Sequence, residues 1–487
     1  MKVLIVSSEV VPFAKTGGLA DVIGSLPIAL QKRGHDVRVI TPKYKMTDEG
    51  KFQLRPVIET LGVPISNRIE NCSILEGQLG ETVPVYFVKN DLYFQRDQLY
   101  GDSQGDYPDN AERFIYFSRS ILEICKHFQF APDIVHCNDW QTGLVPIYLR
   151  QFYRHQPLFA HTASVYTVHN LGYQGLFWHY DMHLTGLGWE LFTPEGLEYY
   201  GKINLMKGGL LWADVISTVS QTYSQEIQTK EYGHGLEGVL QYRRHDLFGI
   251  VNGVDYTIWN PETDPLLAEN YSPRSLAGKT ACKQDLLQTF GLPVKMAHPV
   301  IGMISRLDDQ KGCDLIAESI DDLLKLDLYF ILLGTGHEKY QKLFRHIGEK
   351  YPEKAGIRIA YDNTLAHKIE AGADLFLMPS RYEPCGLNQI YSLKYGTVPI
   401  VRATGGLNDT IDPFDQKTGA GTGIKFTAYK AEELLKAINT ALQAYHHKKT
   451  WKALMLRGMA ADFSWDFSAK EYEKLYQKAL EKVKKSV

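Results

Sequence analysis

Several stretches of this chain set charged side chains beside glycine-rich turns. Lys15 directly precedes TGGLAD (residues 16–21), and a near copy, TGGLND, recurs at residues 404–409. Glycines after a strand let backbone N–H groups approach an anion, and the following helix adds partial positive charge at its N-terminus. Lys15, Gly17 and Gly18 at one loop, and Thr404 and Gly405 at the other, are thus candidate anion or substrate contacts. A tight turn with a solvated lysine is the plain structural alternative. In SRLDDQKG, Arg306 and Lys311 can converge on one diphosphate, the first as a forked donor and the second as a point charge. Salt bridges to Asp308 and Asp309 are the competing reading. Glu383 precedes PCGLNQ; a carboxylate beside phosphate loops is electrostatically awkward unless it grips something such as sugar hydroxyls. Asp139 in HCNDWQT and His169 in TVHN close two consecutive apolar runs. Each also has an ordinary structural role open to it, a helix cap for Asp139 and a buried histidine for His169.

The elements that must position these groups are legible as short apolar runs rich in β-branched residues. KVLIVSSE, DVRVITP, VPVYFVKN, DIVHCND, ASVYTVHN and ADVISTVS fill the first half, and VIGMISRL, DLYFILLGTG, IRIAYDN, ADLFLMPSRYE, VPIVRATGG and TGIKF the second. Runs too continuous to alternate indicate strands buried on both faces, hence parallel sheets with helices on either side. A helical pattern runs through Leu19, Val22, Ile23, Leu26 and Leu30 to Gly34, and Pro27 within it predicts a kink or a late start. In such sheets ligands sit beyond the carboxyl ends of the strands, which is where both hexapeptides fall. The expected architecture is α/β: two Rossmann-like, doubly wound parallel-sheet domains facing across a cleft. The boundaries are set at 1–255 for the N-terminal domain, 256–462 for the C-terminal domain, and 463–487 for a C-terminal helix packing back on the first.

A chain of 487 residues exceeds the roughly 250–300 residues at which one hydrophobic core stops growing. With 44% hydrophobic and 22% charged residues it has the composition of a globular protein. A formal charge of −3 gives no basic excess to recruit nucleic acid or an anionic membrane. Six scattered cysteines lack metal-ligand spacing, so thiols in a reducing compartment and no metal are expected. The first apolar run is broken after five residues by Ser7, Ser8 and Glu9, too short for a signal peptide.

KTGGLADV, HCNDWQT, TVHNLGYQG, NGVD, SRLDDQKG, PSRYEPCGLNQ and the second TGGL occur in an order that resembles bacterial glycogen synthases and plant starch synthases over essentially the whole chain. The resemblance implies a two-lobed, retaining glycosyltransferase of the GT-B type. It would carry glucose from ADP-glucose to the non-reducing end of an α-1,4-glucan, with no cofactor and no nucleic-acid or membrane partner. It would reside in the cytoplasm, or in the plastid stroma if a transit peptide had been removed. Carried over motif by motif, Lys15, Gly17 and Gly18 face the nucleotide diphosphate and acceptor region, Arg306 and Lys311 clamp the phosphates, and Glu383 binds the donor glucose. Cys385, Gly386 and Leu387 surround sugar and phosphate, Tyr361 stacks the base, and Asn252 marks the crossing between lobes. Asp139 positions acceptor or transferred sugar and His169 meets the reacting face. Tyr391 stands where many retaining transferases carry a second glutamate, a deviation the resembled family shares. Gln141 replaces a common histidine and Gly172 a common alanine. A phosphorylase, a nucleotide-sugar epimerase or a non-catalytic glucan-binding protein on the same fold are the alternatives.

Overall fold

The computed structural model describes residues 1–485 and divides into two compact units. The first comprises Met1–Val219, Ser224–Gly253 and the chain from Trp465 onward. Its nine-stranded sheet runs Leu247–Gly249, Val215–Thr218, Ala163–Val168, Ile134–Asn138, Lys2–Val6, Asp36–Pro42, Val83–Lys89, Arg68–Leu79, Arg55–Ile65. The first seven strands in that order are parallel. The central strand Lys2–Val6 is buried at every residue but Lys2, and Ala163–Val168 along its whole length, as strands covered on both faces must be. Arg68–Leu79 and Arg55–Ile65 add an antiparallel hairpin, which departs from an all-parallel sheet. Their mixed polar and apolar residues suit an edge with one face in solvent.

The helix Gly18–Lys32 buries Leu19, Val22, Ile23, Leu26 and Leu30 and continues through Pro27, so a late start is not what the proline causes. The C-terminal helix Trp465–Lys484 lays Tyr472, Tyr476, Ala479 and Val483 into the core shared with Ile134 and Val165. The Tyr476 hydroxyl lies 2.9 Å from His136 Nδ1, and Arg33 grips both carboxylate oxygens of Glu473 at 2.9 and 2.8 Å.

The second unit comprises Ser220–Tyr223 and Val254–Ser464. Its six strands are all parallel, in the order Ala355–Ile359, Tyr329–Gly334, Val300–Ile304, Leu375–Met378, Val398–Arg402, Ile424–Phe426. The strand order reverses between Val300–Ile304 and Leu375–Met378. In the first unit it reverses between Lys2–Val6 and Ile134–Asn138. Such reversals splay successive helices to opposite faces and leave a crevice at the carboxyl ends of the two strands. Among the described residues no helix is long and apolar enough to cross a membrane.

Candidate active site

At the first unit's reversal point, the loop after Lys2–Val6 folds back on itself through Val10 N–H to Ala14 O at 3.0 Å. Glu9 is buried at its base. Its carboxylate accepts the Thr16 amide and hydroxyl, each at 2.6 Å, the Gly17 amide at 3.1 Å, and the Tyr100 hydroxyl at 2.7 Å. Two amides of the first glycine loop are therefore held by a side chain of the protein. Gly17 and Gly18 open the helix at Gly18–Lys32, and a Cβ added at either meets nothing within 4 Å. Gly17 has an extended backbone that any residue adopts, so neither packing nor conformation explains these glycines. Lys15 reaches forward to Asp21, 2.7 and 2.8 Å from its two oxygens.

Asp139 and His169 follow the adjacent strands Ile134–Asn138 and Ala163–Val168 and lie together: Asp139 Oδ1 accepts the His169 amide at 2.7 Å. Asp139 holds φ at +56°, a left-handed conformation costly for a residue with a Cβ. It does not cap the short helix Trp140–Thr142 with its side chain, so the capping role is not realised. Burial pushes its carboxyl up to about 7, against the pull of the His169 and Asn170 amides and helped by the charge of Glu9. Asn138 Nδ2 donates to Val6 O at 3.1 Å, which leaves Oδ1 to accept from His169 Nε2 at 2.9 Å. His169 thus carries its proton on Nε2 and presents Nδ1 as an acceptor; burial holds its pKa near 3 and the ring neutral. His136, on the neighbouring strand Ile134–Asn138 opposite Val165, is the structural histidine, bound between Tyr476 and Thr167 at 2.9 and 2.7 Å. Asn252 is buried, and its Oδ1 has no hydrogen-bond partner among the described residues.

In the second unit the loops after Val300–Ile304 and Leu375–Met378 flank the reversal point and are bonded to each other. Arg381 N–H donates to Gln310 O at 2.8 Å, and Gln310 Nε2 to Tyr382 O at 3.4 Å. Asp308 accepts the Lys311 amide at 3.0 Å and is also paired with Arg306 Nε, while Arg306 Nη2 reaches Gln310 Oε1 at 3.2 Å. Lys311 Nζ lies 2.6 Å from Glu383 Oε2, and Ser380 Oγ donates to the same oxygen at 3.0 Å. The lysine therefore compensates the charge of the buried Glu383.

The second hexapeptide serves a different purpose from the first. Gly405 has φ of +44°, and a Cβ there would stand 1.9 Å from Glu383 O; one on Gly406 would stand 2.1 Å from Cys385 O. The Gly406 amide donates to Glu383 O at 3.1 Å. These glycines let the chain lie against the backbone that carries Glu383, and Thr404 is fully buried beside them. Gly386 also needs its positive φ, +72°, and Gln389 fastens the turn through the Cys385 and Gly386 carbonyls, both at 3.0 Å. Cys385 is buried and Leu387 precedes the helix Asn388–Lys394. Tyr361, 80% exposed, follows the strand Ala355–Ile359. Tyr391 stacks on Trp259 at 3.9 Å, and Trp259 on His367 at 3.9 Å.

Each unit gathers its own sequence candidates at a reversal point, Lys15, Gly17, Gly18, Asp139 and His169 in the first, and Arg306, Lys311, Glu383 and Cys385 in the second. The sequence reading missed Glu9, Tyr100, Asn138 and Ser380. Glu9 stands 7 residues before Thr16 and was read only as the end of an apolar run. Tyr100 lies far away in sequence and carried no signal.

Two Rossmann-like units, each with polar groups at its strand-order reversal, define a GT-B glycosyltransferase. Residues 2–242 match the family of starch synthase catalytic domains, and residues 288–453 the glycosyl transferases group 1. The chain is 51% identical to the glycogen synthase of Koribacter versatilis over 98% of both chains. It is 48% identical to glycogen synthase 2 of Geobacter sulfurreducens over 98% of this chain and 99% of the relative. Its structure matches the catalytic domain of starch synthase IV from Arabidopsis thaliana bound to ADP and acarbose, with TM-score 0.91, 34% identity and 99% of each chain covered. The chain belongs to the glycogen and starch synthase family, whose members are glucosyltransferases of glucan synthesis taking a nucleotide-sugar donor and a glucan acceptor.

Proposed function

We propose that this protein transfers glucose from ADP-glucose to the terminal 4-hydroxyl of an α-1,4-glucan with retention of configuration, in the cytoplasm. The observation that carries this reading is the Lys311–Glu383 pair with Ser380 on the same oxygen. A cation beside a buried carboxylate, on the two loops that flank the second unit's strand-order reversal, supports this reading. In the proposed reaction, Arg306 and Lys311 take up the charge of the diphosphate as the bond from glucose C1 to its phosphate oxygen breaks. That oxygen leaves with the bonding electrons and takes the proton of the incoming 4-hydroxyl, whose oxygen forms the new bond to C1 on the same face. Glu383 accepts from donor hydroxyls, which frees Lys311 for the phosphates. His169, neutral with Nδ1 available, accepts from a glucose hydroxyl, and Asp139 orients the acceptor. Lys15, Gly17 and Gly18 leave room beside the reacting groups, Tyr361 offers an exposed ring to the base, and Asn252 an unpartnered oxygen. The rate gain comes from positioning and charge stabilisation.

The ADP that accompanies the starch synthase IV structure supports the choice of nucleotide. The test is transfer of labelled glucose from ADP-glucose and, separately, UDP-glucose into a maltooligosaccharide, with chelator present. Faster extension from ADP-glucose is expected; preference for UDP-glucose would overturn the donor assignment, and extension from neither the transfer itself.

A further inference from the structure

An asparagine closes the strand Ile134–Asn138, directly before Asp139, and its side chain is completely buried. A buried amide has to satisfy both ends, since its nitrogen can only donate and its oxygen only accept. Asn138 Nδ2 lies 3.1 Å from Val6 O and 3.4 Å from His136 O. Both neighbours are carbonyl oxygens, so the nitrogen is fixed on that side and the amide cannot turn over. Oδ1 then faces the opposite way, 2.9 Å from His169 Nε2. A bare oxygen at that distance requires the ring to supply the hydrogen, which puts the proton on Nε2 and leaves a lone pair on Nδ1. The His169 amide is held separately by Asp139, so two consecutive residues position the backbone and the ring.

The contrast with His136 shows what Asn138 adds. His136 is bonded to the hydroxyls of Tyr476 and Thr167, and a hydroxyl can donate or accept, so that ring is free to follow its partners in either tautomer. The His169 ring has no such choice. A bare Nδ1 receives a group that brings its own hydrogen, such as a sugar hydroxyl, and repels the anionic oxygen of a phosphate, which brings none. The titratable groups around the ring are Asp139 on its own amide, His136 on the neighbouring strand, Glu9, whose charge reaches Asp139, and Tyr166. Among the described residues none of these bonds a ring nitrogen of His169, and that contact belongs to Asn138.

We infer that Asn138 is a positioning residue for glucosyl transfer: its amide fixes the tautomer of His169, so that the ring accepts from a hydroxyl of the sugar and turns away the diphosphate. The sugar in this inference rests on the proposed transfer reaction, whereas the state of the ring rests on the two bonded ends of the amide. The first measurement is the spectrum of the full chain carrying ¹⁵N-labelled histidine, with the His169 signal identified as the one lost in His169→Gln. The expected wild-type ring at neutral pH has its proton on Nε2 and none on Nδ1. A proton on Nδ1 would overturn the inference with no substitution in the strand at all.

Two variants then separate positioning from packing. Asn138→Leu keeps a branched side chain and removes both polar ends; the ring should lose its single tautomer and kcat should fall about tenfold or more, with the KM for ADP-glucose little changed. Asn138→Asp keeps an acceptor but adds a charge, which favours a second proton on the ring. Both ring nitrogens should then be protonated, and kcat should gain a limb that rises with pH as the added proton leaves. Asp139 titrates in wild type and variant alike, so the difference between the two profiles reports the ring. A fall in kcat of equal size at every pH in Asn138→Asp would reduce Asn138 to packing and overturn the inference, as would an unchanged spectrum and kcat in Asn138→Leu. Should the wild-type ring show a bare Nδ1 while the protein transfers glucose from neither nucleotide sugar, the transfer reaction fails and the hold of Asn138 on the ring stands.

Discussion

Lys311 Nζ stands 2.6 Å from Glu383 Oε2, a cation and an acid brought together from loops 72 residues apart in the chain. The pair couples the two loops that flank the second unit's crevice. Removing the ammonium leaves Glu383 buried without its counter-charge and, in the proposed reaction, strips a charge donor from the departing diphosphate. Lys311→Ala is expected to lower kcat on the order of 10²- to 10³-fold, with Arg306→Ala close behind, both judged by steady-state rates on protein of unchanged circular dichroism. Near-normal turnover in both would remove the phosphate-clamp assignment. Glu383→Gln should stop transfer while calorimetry still records ADP binding, and equal loss of both would give Glu383 a structural part.

The two glycine pairs should respond in opposite ways to a methyl group. Gly405→Ala drives a Cβ onto the Glu383 carbonyl at a positive φ, at a cost of about 2 kcal/mol or more. Gly17→Ala meets open space, so its thermal midpoint should match the wild type while its KM for donor or acceptor rises. A fall in the midpoint of Gly17→Ala with unchanged kinetics would make the first loop a purely structural turn.

Glu9 should act through the loop it holds. Glu9→Ala leaves the Thr16 and Gly17 amides without their acceptor, each orphaned donor costing about 1–3 kcal/mol if it stays buried. Hydrogen exchange should quicken at those two amides and at few others, and kcat/KM should fall, with Glu9→Gln recovering part of both. Slow exchange at Thr16 and Gly17 in the alanine variant would mean that Glu9 does not fix the loop.

Asp139 gives stability a definite dependence on pH. Its carboxyl is raised to about 7 in the fold, so the native state keeps a proton that the unfolded chain has already released. Stability contributed through this group is therefore greatest at low pH, falls as pH rises toward about 7, and is constant above. His136 and His169, both lowered to about 3, act in the reverse sense below 6.5, because the unfolded chain takes protons that the native rings refuse. Both histidines remain in Asp139→Asn, so the difference in thermal midpoint between variant and wild type isolates the aspartate. That difference should shift in the variant's favour between about pH 5 and pH 7. A difference independent of pH would show that Asp139 ionises as an ordinary carboxylate.

Tyr391 stands where the sequence resemblance puts a second acid in many retaining transferases, and here its ring stacks on Trp259, which stacks in turn on His367. Tyr391→Glu replaces a ring packed at 3.9 Å by a charge against an indole face. A loss of about 1–3 kcal/mol without gain of activity is expected from chemical denaturation; a stable, faster variant would contradict it.

The amino-acid sequence by itself determined the strands, because continuous β-branched runs can be buried only in covered parallel sheets. It also set glycine, lysine and acid just past those strands, where the structure finds them at the reversal points of the two sheets. Local pattern carries that much. Two near-identical hexapeptides, however, took different work: the glycines of one leave space, and those of the other admit a neighbouring backbone. That difference depends on what stands 2 Å from an absent Cβ, which no window of sequence contains. The same holds for Glu9, whose partner Tyr100 comes from 91 residues away. It holds also for the two histidines His136 and His169, alike in sequence setting and in lowered pKa. Only their partners separate them, since His136 is bonded through both ring nitrogens and the His169 ring through Nε2 to Asn138. The antiparallel hairpin at Arg55–Ile65 and Arg68–Leu79 escaped for a related reason, since strands with one face in solvent lack the continuous apolar run that betrays a buried one. Tertiary packing decided these points because burial, orphaned donors and close backbone approach are properties of neighbours in space.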